Sequence, residues 1–266
     1  MILLTKEQYR RYARLYLRGD VLQVEPTTRC DLACSNCLRP EQPPPIVDLV
    51  VPTLNRIMDN HRRISVIRLQ GLGEPFLHPD FGTICRAALK RAPVHVTTNA
   101  LHMQEIPPPC VSYITVSLDT LDPDLAVAMK GRNYDLGTVL DNLGELRRAW
   151  PASQLDVNFV RSAENAAEEE GVRAYCRGLG VQVSVVPVQN WHYPGERGYK
   201  EAQAKCLMEH HLRGNPVPRF NRYSCAWLHD EAFYYDALGR RHRCCIRMGY
   251  DQLEMDPEKV CTTCPD

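Results

Sequence analysis

Short runs of β-branched and other apolar residues recur along the first two thirds of the chain. Each run is four to eight residues long and is bounded by polar residues, glycine or proline, which is typical of buried strands. We therefore predict six strands, at Val21–Val24, Ile64–Leu69, Val94–Thr98, Tyr113–Leu118, Leu155–Val160 and Val181–Val188.

Helical periodicity occupies the intervals between these runs. The clearest helices are predicted at Phe81–Lys90, Leu136–Trp150 and Glu164–Gly178, whereas Pro52 blurs the pattern that follows the first strand. Residues 1–20 predict one amphipathic N-terminal helix, which begins at a capping box and ends at a glycine. Alternating strands and helices indicate a parallel sheet with crossover connections.

The predicted fold class is α/β. Six β/α units within about 170 residues are too few for a closed eight-stranded barrel, which needs about 250 residues. We therefore predict an open or partial TIM-like barrel, (β/α)6, over residues 21–190. In either arrangement, ligands bind at the C-terminal ends of the strands.

The rest of the chain divides into two predicted segments. Residues 191–224 are rich in Pro, Gly, His and Arg without a convincing period, and we interpret them as a linker or substrate-facing segment. Residues 225–266 predict a small cysteine-bearing domain with a β-hairpin. The hairpin pattern consists of Phe233–Tyr235, a turn at Asp236–Gly239 and a second run at Arg241–Cys245.

The charge balance limits the partners. The 266 residues include 32 Lys and Arg against 32 Asp and Glu, so the formal net charge is zero. Such a chain has no overall field that attracts a polyanion, and we expect neither nucleic acid nor a membrane as a partner. No uncharged stretch is apolar enough to span a bilayer, and the N-terminus lacks an apolar signal region. The expected location is the cytoplasm.

Cysteine is the anomaly of the composition. Twelve cysteines in 266 residues are too sparse for a disulfide scaffold, and clustered thiols in a reducing compartment are typical of metal ligands or catalytic groups. Three of them, Cys30, Cys34 and Cys37, follow the first predicted strand. Three closely spaced thiolates can bind three irons of a 4Fe-4S cube and leave the fourth iron open. Zinc is the alternative, but a structural zinc site needs four ligands, usually in paired Cys-x2-Cys units.

This Cys-x3-Cys-x2-Cys spacing resembles the signature of the radical S-adenosylmethionine (radical SAM) superfamily, which has a partial (β/α)6 barrel. Gly71–Pro75, after the second strand, is similar to the family's Gly-Gly-Glu-Pro motif, with Leu72 in place of one glycine. Thr97–Asn99 ends the third strand like the family's Thr-Asn-Gly, and Val116–Asp119 ends the fourth like its Ser-x-Asp. The resemblance implies that SAM contacts the residues Gly73, Glu74, Pro75, Asn99, Ser117, Asp119 and, in the fifth strand, Asn158.

A second group of cysteines lies near the C-terminus. Cys225 is followed after thirteen residues by Gly239, after four more by Cys244, and later by Cys261 and Cys264 as a Cys-x2-Cys pair. On spacing alone this could be a zinc ribbon. It also resembles the start of the SPASM motif, in the shortened twitch form. That resemblance implies that these four cysteines hold an auxiliary 4Fe-4S cluster.

The remaining cysteines and one basic run have open roles. Cys245 is a spare thiol, a hydrogen-atom donor or a packed side chain, and Cys85, Cys110, Cys176 and Cys206 are predicted to be structural. The run Gly239–Arg243, with Arg247 close by, is the one concentrated positive patch. Such a run is either a solvated hairpin face or a means to offset cluster charge or bind an anionic substrate group.

The resemblance implies a radical SAM enzyme with two 4Fe-4S clusters and SAM as cofactors. Reductive cleavage of SAM would give a 5'-deoxyadenosyl radical, which abstracts hydrogen from an unactivated C–H bond. A flavodoxin or ferredoxin is implied as the electron donor. We expect a small polar metabolite as substrate, such as a sugar, aminocyclitol or amino acid in natural product biosynthesis. Net oxidation by a dehydrogenase-like oxidoreductase follows if the auxiliary cluster accepts the second electron.

Three alternatives stay open. The first is modification of a ribosomally made peptide by epimerisation, cross-linking or oxidation, which we rank lower because no room for a precursor-recognition domain exists before Val21. The second is a redox-neutral epimerase in which Cys245 returns the hydrogen atom. The third, from another class, is a non-catalytic iron-sulfur or zinc protein, which would have no use for Gly73, Glu74, Pro75 and Ser117 and would not cleave SAM.

Overall fold

The computed structural model describes residues 20–37, 39–40, 43–103, 111–151, 154–187 and 232–242. Within these ranges eight strands form one sheet. In chain order, β1 to β8 are Asp20–Val24, Ile64–Leu69, Val94–Thr98, Tyr113–Ser117, Leu155–Arg161, Gln182–Pro187, Ala232–Tyr235 and Arg241–His242. The strand order is β6-β5-β4-β3-β2-β1-β7-β8, and every neighbouring pair is parallel except β7 and β8.

Five α-helices lie between the strands of the described ranges. In chain order, α1 to α5 are Val51–Asp59, Phe81–Leu89, Pro123–Lys130, Leu136–Ala149 and Glu169–Gly178, and Pro75–Leu77 form a short 3-10 turn. None of these helices is long and apolar enough to cross a bilayer. The mostly parallel sheet with crossover helices confirms the predicted α/β class, and over the described residues the sheet is an open, partial barrel.

The two faces of this sheet differ in composition because side chains alternate along each strand. On the face that we call the helix face, residues such as Leu22, Leu69, Ile114 and Val157 are fully buried and join one hydrophobic core with the helices. The opposite face, which we call the polar face, carries mainly polar side chains. Helices therefore cover one side of the sheet, and the other side is left for polar groups.

Parallel pairing aligns the polar-face residues in rows. One row is Tyr234, Gln23, Arg68, His95 and Tyr113; a second is Thr97, Thr115, Asp156 and Gln182; a third is Ser117, Asn158 and Ser184. The third row lies nearest to the C-terminal ends of the strands. Asn99 directly follows Thr98, which pairs with Val116, so Asn99 extends this row.

One predicted helix needs correction, and one observed helix had not been predicted. The helix predicted at Glu164–Gly178 begins only at Glu169. The preceding residues form a turn because the buried Asn165 accepts the Ser162 N–H and donates to the carbonyls of Asp119 and Val160. Helix α3 was not predicted, although Asp122 caps its first turn and Pro123 occupies its N-terminal position.

The predicted hairpin is present as β7 and β8. Asp236 accepts the backbone N–H groups of Leu238 and Arg240 across the turn, and Gly239 has φ +76°, which favours glycine. Strand β7 pairs in parallel with β1, so the hairpin continues the main sheet. The N-terminal helix, the segment 191–224 and residues 243–266 lie outside the described residues, and the domain boundary at residue 225 stays a prediction.

Candidate functional site

The first cysteine cluster lies on the loop that follows β1, which we call the cysteine loop (residues 29–37). A returning segment pairs with the start of this loop: Thr28 N–H donates to the Val47 carbonyl (3.0 Å), and Leu49 N–H donates to the Pro26 carbonyl (2.8 Å). The Arg29 guanidinium binds both oxygens of Asp48, with N···O distances of 2.9–3.1 Å. The loop therefore leaves the C-terminal edge of the sheet from a fixed base.

The three thiols are half-buried, and Cys30 and Cys34 pack against the hydrophobic core. Burial raises the pKa of Cys30 to about 11 and also raises the pKa of Cys34. Cys34 adds to the rise at Cys30, and Cys37 adds to the rise at Cys34, so the three groups are close enough to interact electrostatically. Bound iron would have to hold these groups as thiolates.

The chemistry of this donor set fits an iron-sulfur cube. Within the described ranges, no group of three His, Cys, Asp or Glu side chains is close enough to hold a single metal ion. A cube has a wider spacing between its ligands than a single ion has, because each thiolate binds a different corner. Two cations act on these thiols. Arg39 donates to the Cys30 carbonyl (3.0 Å) and partly offsets the rise in the pKa of Cys30. Lys130 partly offsets the rise in the pKa of Cys34.

The Gly71–Pro75 loop packs directly on the cysteine loop. Glu74 N–H donates to the Arg29 carbonyl (2.7 Å), and Leu72 N–H donates to the buried Glu25 carboxylate (2.6 Å). A Cβ at Gly73 would lie 2.1 Å from the Thr27 carbonyl oxygen. Only glycine allows this approach, so Gly73 holds the two loops in contact.

The Glu74 side chain is buried and points towards the end of β3. Its oxygens accept hydrogen bonds from the Thr98 hydroxyl (2.7 Å), the Asn99 N–H (2.8 Å) and the Phe76 N–H (3.2 Å). Burial raises its pKa to about 7, although these three donors act in the opposite direction. The carboxylate therefore ties the β2 loop, including the buried Pro75, to the end of β3. A contact of Gly73, Glu74 or Pro75 with SAM stays a prediction.

The other predicted SAM contacts separate into two kinds. Asn99, Ser117 and Asn158 are partly exposed and share the third row of the polar face. The Asn99 side-chain oxygen accepts the Leu101 N–H (2.9 Å), which shapes the loop after β3. Asp119, in contrast, is fully buried, and its oxygens bind the Val160 N–H (2.6 Å) and the Lys130 ammonium group. The structure brings the first three together and gives Asp119 a supporting position.

The C-terminal cysteines Cys225, Cys244, Cys245, Cys261 and Cys264 lie outside the described residues, as do Cys110 and Cys206. Cys85 and Cys176 are fully buried in α2 and α5, which agrees with a structural role. In the arginine-rich hairpin, Arg240 donates to Asp236 (2.7 Å) and Arg241 lies over the Phe233 ring at 4.5 Å. The described part of this run thus makes contacts within the hairpin.

Several residues that position the site were not predicted from the sequence: Glu25, Arg29, Asp48 and Lys130. The signal for Lys130 was present, because Gly131 follows it and ends α3 with φ +93°. The Arg29–Asp48 pair had no local signal, since its members are nineteen residues apart.

A model of the Radical SAM superfamily matches residues 24–162. Among curated relatives, a probable GTP 3',8-cyclase of Methanocella arvoryzae is 26% identical over 182 residues, which cover 66% of this chain and 59% of the relative. The GTP 3',8-cyclase of Mycobacterium marinum is 28% identical over 230 residues, which cover 79% and 63%. The chain thus spans about six tenths of the length of these relatives.

Two solved structures share the fold. Streptococcus suis SuiB bound to S-adenosylmethionine aligns with a TM-score of 0.61 at 17% identity, covering 98% of this chain and 72% of SuiB. The histidine-tagged anSMEcpe with bound AdoMet aligns with a TM-score of 0.62 at 16% identity, covering 86% of this chain and 75% of that protein. At these identities the likeness concerns the fold alone.

Proposed function

The chain belongs to the radical SAM superfamily, and from this premise we propose that Cys30, Cys34 and Cys37 hold a 4Fe-4S cluster at which SAM is cleaved. The family implies this cluster and SAM as cofactors. When bound, they supply a 5'-deoxyadenosyl radical that abstracts hydrogen from carbon. The observation that supports the proposal is the half-buried cysteine loop, fixed at its base and packed against Gly73 at the C-terminal edge of the sheet.

Residues of this chain orient the cofactor in the proposed complex. The Gly71–Pro75 backbone lies against the cysteine loop, where it can contact the methionine part of SAM. Asn99, Ser117 and Asn158 are polar, partly exposed and aligned in one row, which suits contacts to ribose or carboxylate oxygens. Glu74 and Asp119 act indirectly, because their side chains bind Thr98 and Val160 and so hold the strand ends in place.

The polar face favours a small polar metabolite as substrate, such as a sugar, aminocyclitol or amino acid. Its buried groups already form pairs, such as His95 with Thr115 (2.8 Å) and Ser184 with Asp156 (3.2 Å). Near the C-terminal edge of the polar face, Ser117 and Asn158 are partly exposed, and their side chains provide further donors and acceptors for a ligand. We propose net oxidation of this substrate, as by a dehydrogenase, with redox-neutral epimerisation through Cys245 as the alternative.

The curated relatives raise a nucleotide as a second candidate substrate, because they are named GTP 3',8-cyclases. A triphosphate carries several negative charges and is usually bound by several Lys or Arg side chains. On the polar face of the described strands, Arg68 is the single Lys or Arg. This favours a less charged substrate over GTP. A ribosomally made peptide remains the alternative, and fold neighbours include SuiB bound to its precursor peptide SuiA.

An auxiliary 4Fe-4S cluster on Cys225, Cys244, Cys261 and Cys264 is also part of the proposal. Its support is the cysteine spacing and the hairpin β7–β8 between the first two of these residues. Since four protein thiols would close this cluster, its expected task is to accept the second electron or to position substrate. A flavodoxin or ferredoxin in the cytoplasm is the expected electron donor.

The decisive experiment is an anaerobic assay of the reconstituted protein with dithionite and SAM. We expect about eight irons per chain and formation of 5'-deoxyadenosine. Replacing Cys30, Cys34 and Cys37 by Ala should abolish this product and leave about four irons. The matched control is Cys176→Ala, a buried cysteine in α5, which should retain both iron and product. Absence of 5'-deoxyadenosine from the iron-loaded wild type, with candidate substrates present, would falsify the proposal.

Substrate class is tested in the same assay. A sugar, aminocyclitol or amino acid that increases 5'-deoxyadenosine formation and is recovered two hydrogens lighter supports the oxidation. Recovery at unchanged mass with inverted configuration supports the epimerase instead. Stimulation by GTP or by a peptide alone contradicts the small-metabolite assignment.

A further inference from the structure

The C-terminal end of α3 is joined to the cysteine loop on both sides of Cys34. Ala33 N–H donates to the Lys130 carbonyl (3.1 Å), and Ser35 N–H donates to the Met129 carbonyl (2.8 Å). Gly131 is so close that a Cβ there would lie 3.2 Å from the Ala33 nitrogen. Cys34 is therefore held against the last turn of a helix whose carbonyl end carries partial negative charge.

Lys130 places a positive charge at this position. The residue is buried, and its ammonium group is paired with Asp119, which is itself fixed by the Val160 N–H. Burial alone would lower the pKa of Lys130, but Asp119 and Cys34 together raise it, so the side chain is charged. Water screens a buried charge weakly, and its field therefore extends to its neighbours.

The orientation of this ion pair matters for Cys34. Lys130 affects the pKa of the thiol more strongly than Asp119 does, and in the opposite direction. Geometry agrees with this order: the Lys130 carbonyl accepts the Ala33 N–H next to Cys34, whereas Asp119 is bonded to the Val160 N–H. A pair that is neutral as a whole still presents positive charge to the thiolate.

Tyr134 is a second polar group in the same place. The residue is 4% exposed, and its hydroxyl has no hydrogen-bond partner among the residues that the structure describes. A buried hydroxyl without a partner is unfavourable, so a partner is expected when the site is complete. Burial raises the pKa of Tyr134 to about 12, and Lys130, Asp119 and Cys34 all influence it. The hydroxyl therefore stays protonated and can donate a hydrogen bond. Tyr134 N–H donates to the Gly131 carbonyl (3.0 Å), which places the residue at the helix end that contacts the cysteine loop.

We propose that Lys130, held by Asp119, and Tyr134 are positioning residues for Cys34, which raise the reduction potential of the cluster by stabilising the negative charge that reduction adds. This inference rests on the proposed cluster at the cysteine loop. Net charge and hydrogen bonds to the sulfurs are general determinants of iron-sulfur potentials. Among the lysines of the described residues, Lys130 is the buried one, and Cys34 is one of the groups that raise its pKa.

The test is an anaerobic redox titration followed by EPR, on the signal component that changes when SAM is added. The Asp119→Asn/Lys130→Met double variant removes both charges and leaves no unpaired ion. We expect its midpoint potential to shift to a more negative value. Tyr134→Phe should shift the midpoint potential in the same direction by a smaller amount. Lys130→Arg keeps the positive charge and should retain the wild-type potential.

Two controls separate tuning from general damage. Arg173→Met removes a cation from a carboxylate pair on α5, and Tyr175→Phe removes a hydroxyl from the same helix. Both should leave the potential unchanged. Wild-type potentials in the double variant and in Tyr134→Phe, at unchanged iron content and melting temperature, would overturn the inference, and so would equal shifts in the controls. If the double variant does not fold, Tyr134→Phe alone decides the matter. If the wild type has no SAM-sensitive signal, the proposed function itself fails, and this inference fails with it.

Discussion

Along β4, Ile114 and Val116 face the helices and are fully buried, while Thr115 and Ser117, their neighbours in sequence, belong to the polar face. The same alternation runs through the neighbouring strands. Burial of the aliphatic side chains stabilises the fold by roughly 1.5–3 kcal/mol for each side chain. Burial of the polar ones is unfavourable unless each finds a partner. One face therefore supplies stability, and the other supplies hydrogen-bonding groups for a ligand.

The largest difference between the faces is expected for Leu69 and Gln70, adjacent residues at the end of β2. Leu69→Ala should lower the free energy of unfolding by about 2–5 kcal/mol, since it leaves a cavity in the core. Gln70→Ala should lower it by about 1 kcal/mol, through loss of the hydrogen bonds that its side-chain oxygen accepts from Thr97 and Arg68. Urea denaturation of the metal-free protein measures both. Equal losses in the free energy of unfolding would contradict the conclusion that the helix face supplies most of the stability.

Glu74 should give the next largest effect, and this effect depends on pH. Its pKa is raised from 4.5 to about 7, so the folded state binds the proton more tightly than the unfolded state does. The resulting stabilisation, at most roughly 3 kcal/mol, is present below pH 4.5 and is lost as pH rises through about 7. The free energy of unfolding of the wild type, measured relative to that of Glu74→Gln, should therefore fall between pH 5 and pH 8, because glutamine does not titrate. A pH-independent difference in urea denaturation would show that burial does not control this carboxyl group.

Gly73 tests the edge at which the polar face meets the cysteine loop, and a glycine in a helix serves as its control. Gly73→Ala should lower the free energy of unfolding by about 1–3 kcal/mol, because its Cβ would overlap the Thr27 carbonyl. The matched variant is Gly144→Ala in α4, which has open space and should stabilise the protein by about 0.5–1 kcal/mol. Thermal unfolding of both variants measures the effects. A neutral Gly73→Ala would mean that the two loops can separate at little cost.

The smallest effect on stability is expected in the third row of the polar face. Ser117→Ala should change the free energy of unfolding by less than about 0.5 kcal/mol, since its side chain is partly exposed. The same variant should weaken SAM binding, measured by equilibrium dialysis against the iron-loaded protein. The neighbouring Thr120→Ala serves as a control, because its hydroxyl contacts Glu168 rather than the polar face. Unchanged SAM affinity in Ser117→Ala would remove this row from the proposed site.

The sequence predicted the strands well because each strand carries its own signal. The predicted bounds of β2 and β3 match the structure at both ends. Helix α3 was missed although Asp122, Pro123 and Gly131 mark both of its ends, since its apolar pattern is short. The helix predicted from Glu164 was wrong in its first five residues, because Asn165 makes its hydrogen bonds to strand ends rather than within a helix.

The site residues show the same division. By itself, the sequence determined the α/β class, the cysteine loop after β1 and the short motifs at the strand ends, because these depend on local spacing. Only the tertiary structure decided which of these residues work together. It paired Glu74 with Thr98 and Asn99, and it buried Asp119 with Lys130 beside Cys34. The physical reason is that these pairs depend on how deeply each residue is buried and on which strand ends lie next to each other. Neither property can be derived from a single local segment of the sequence.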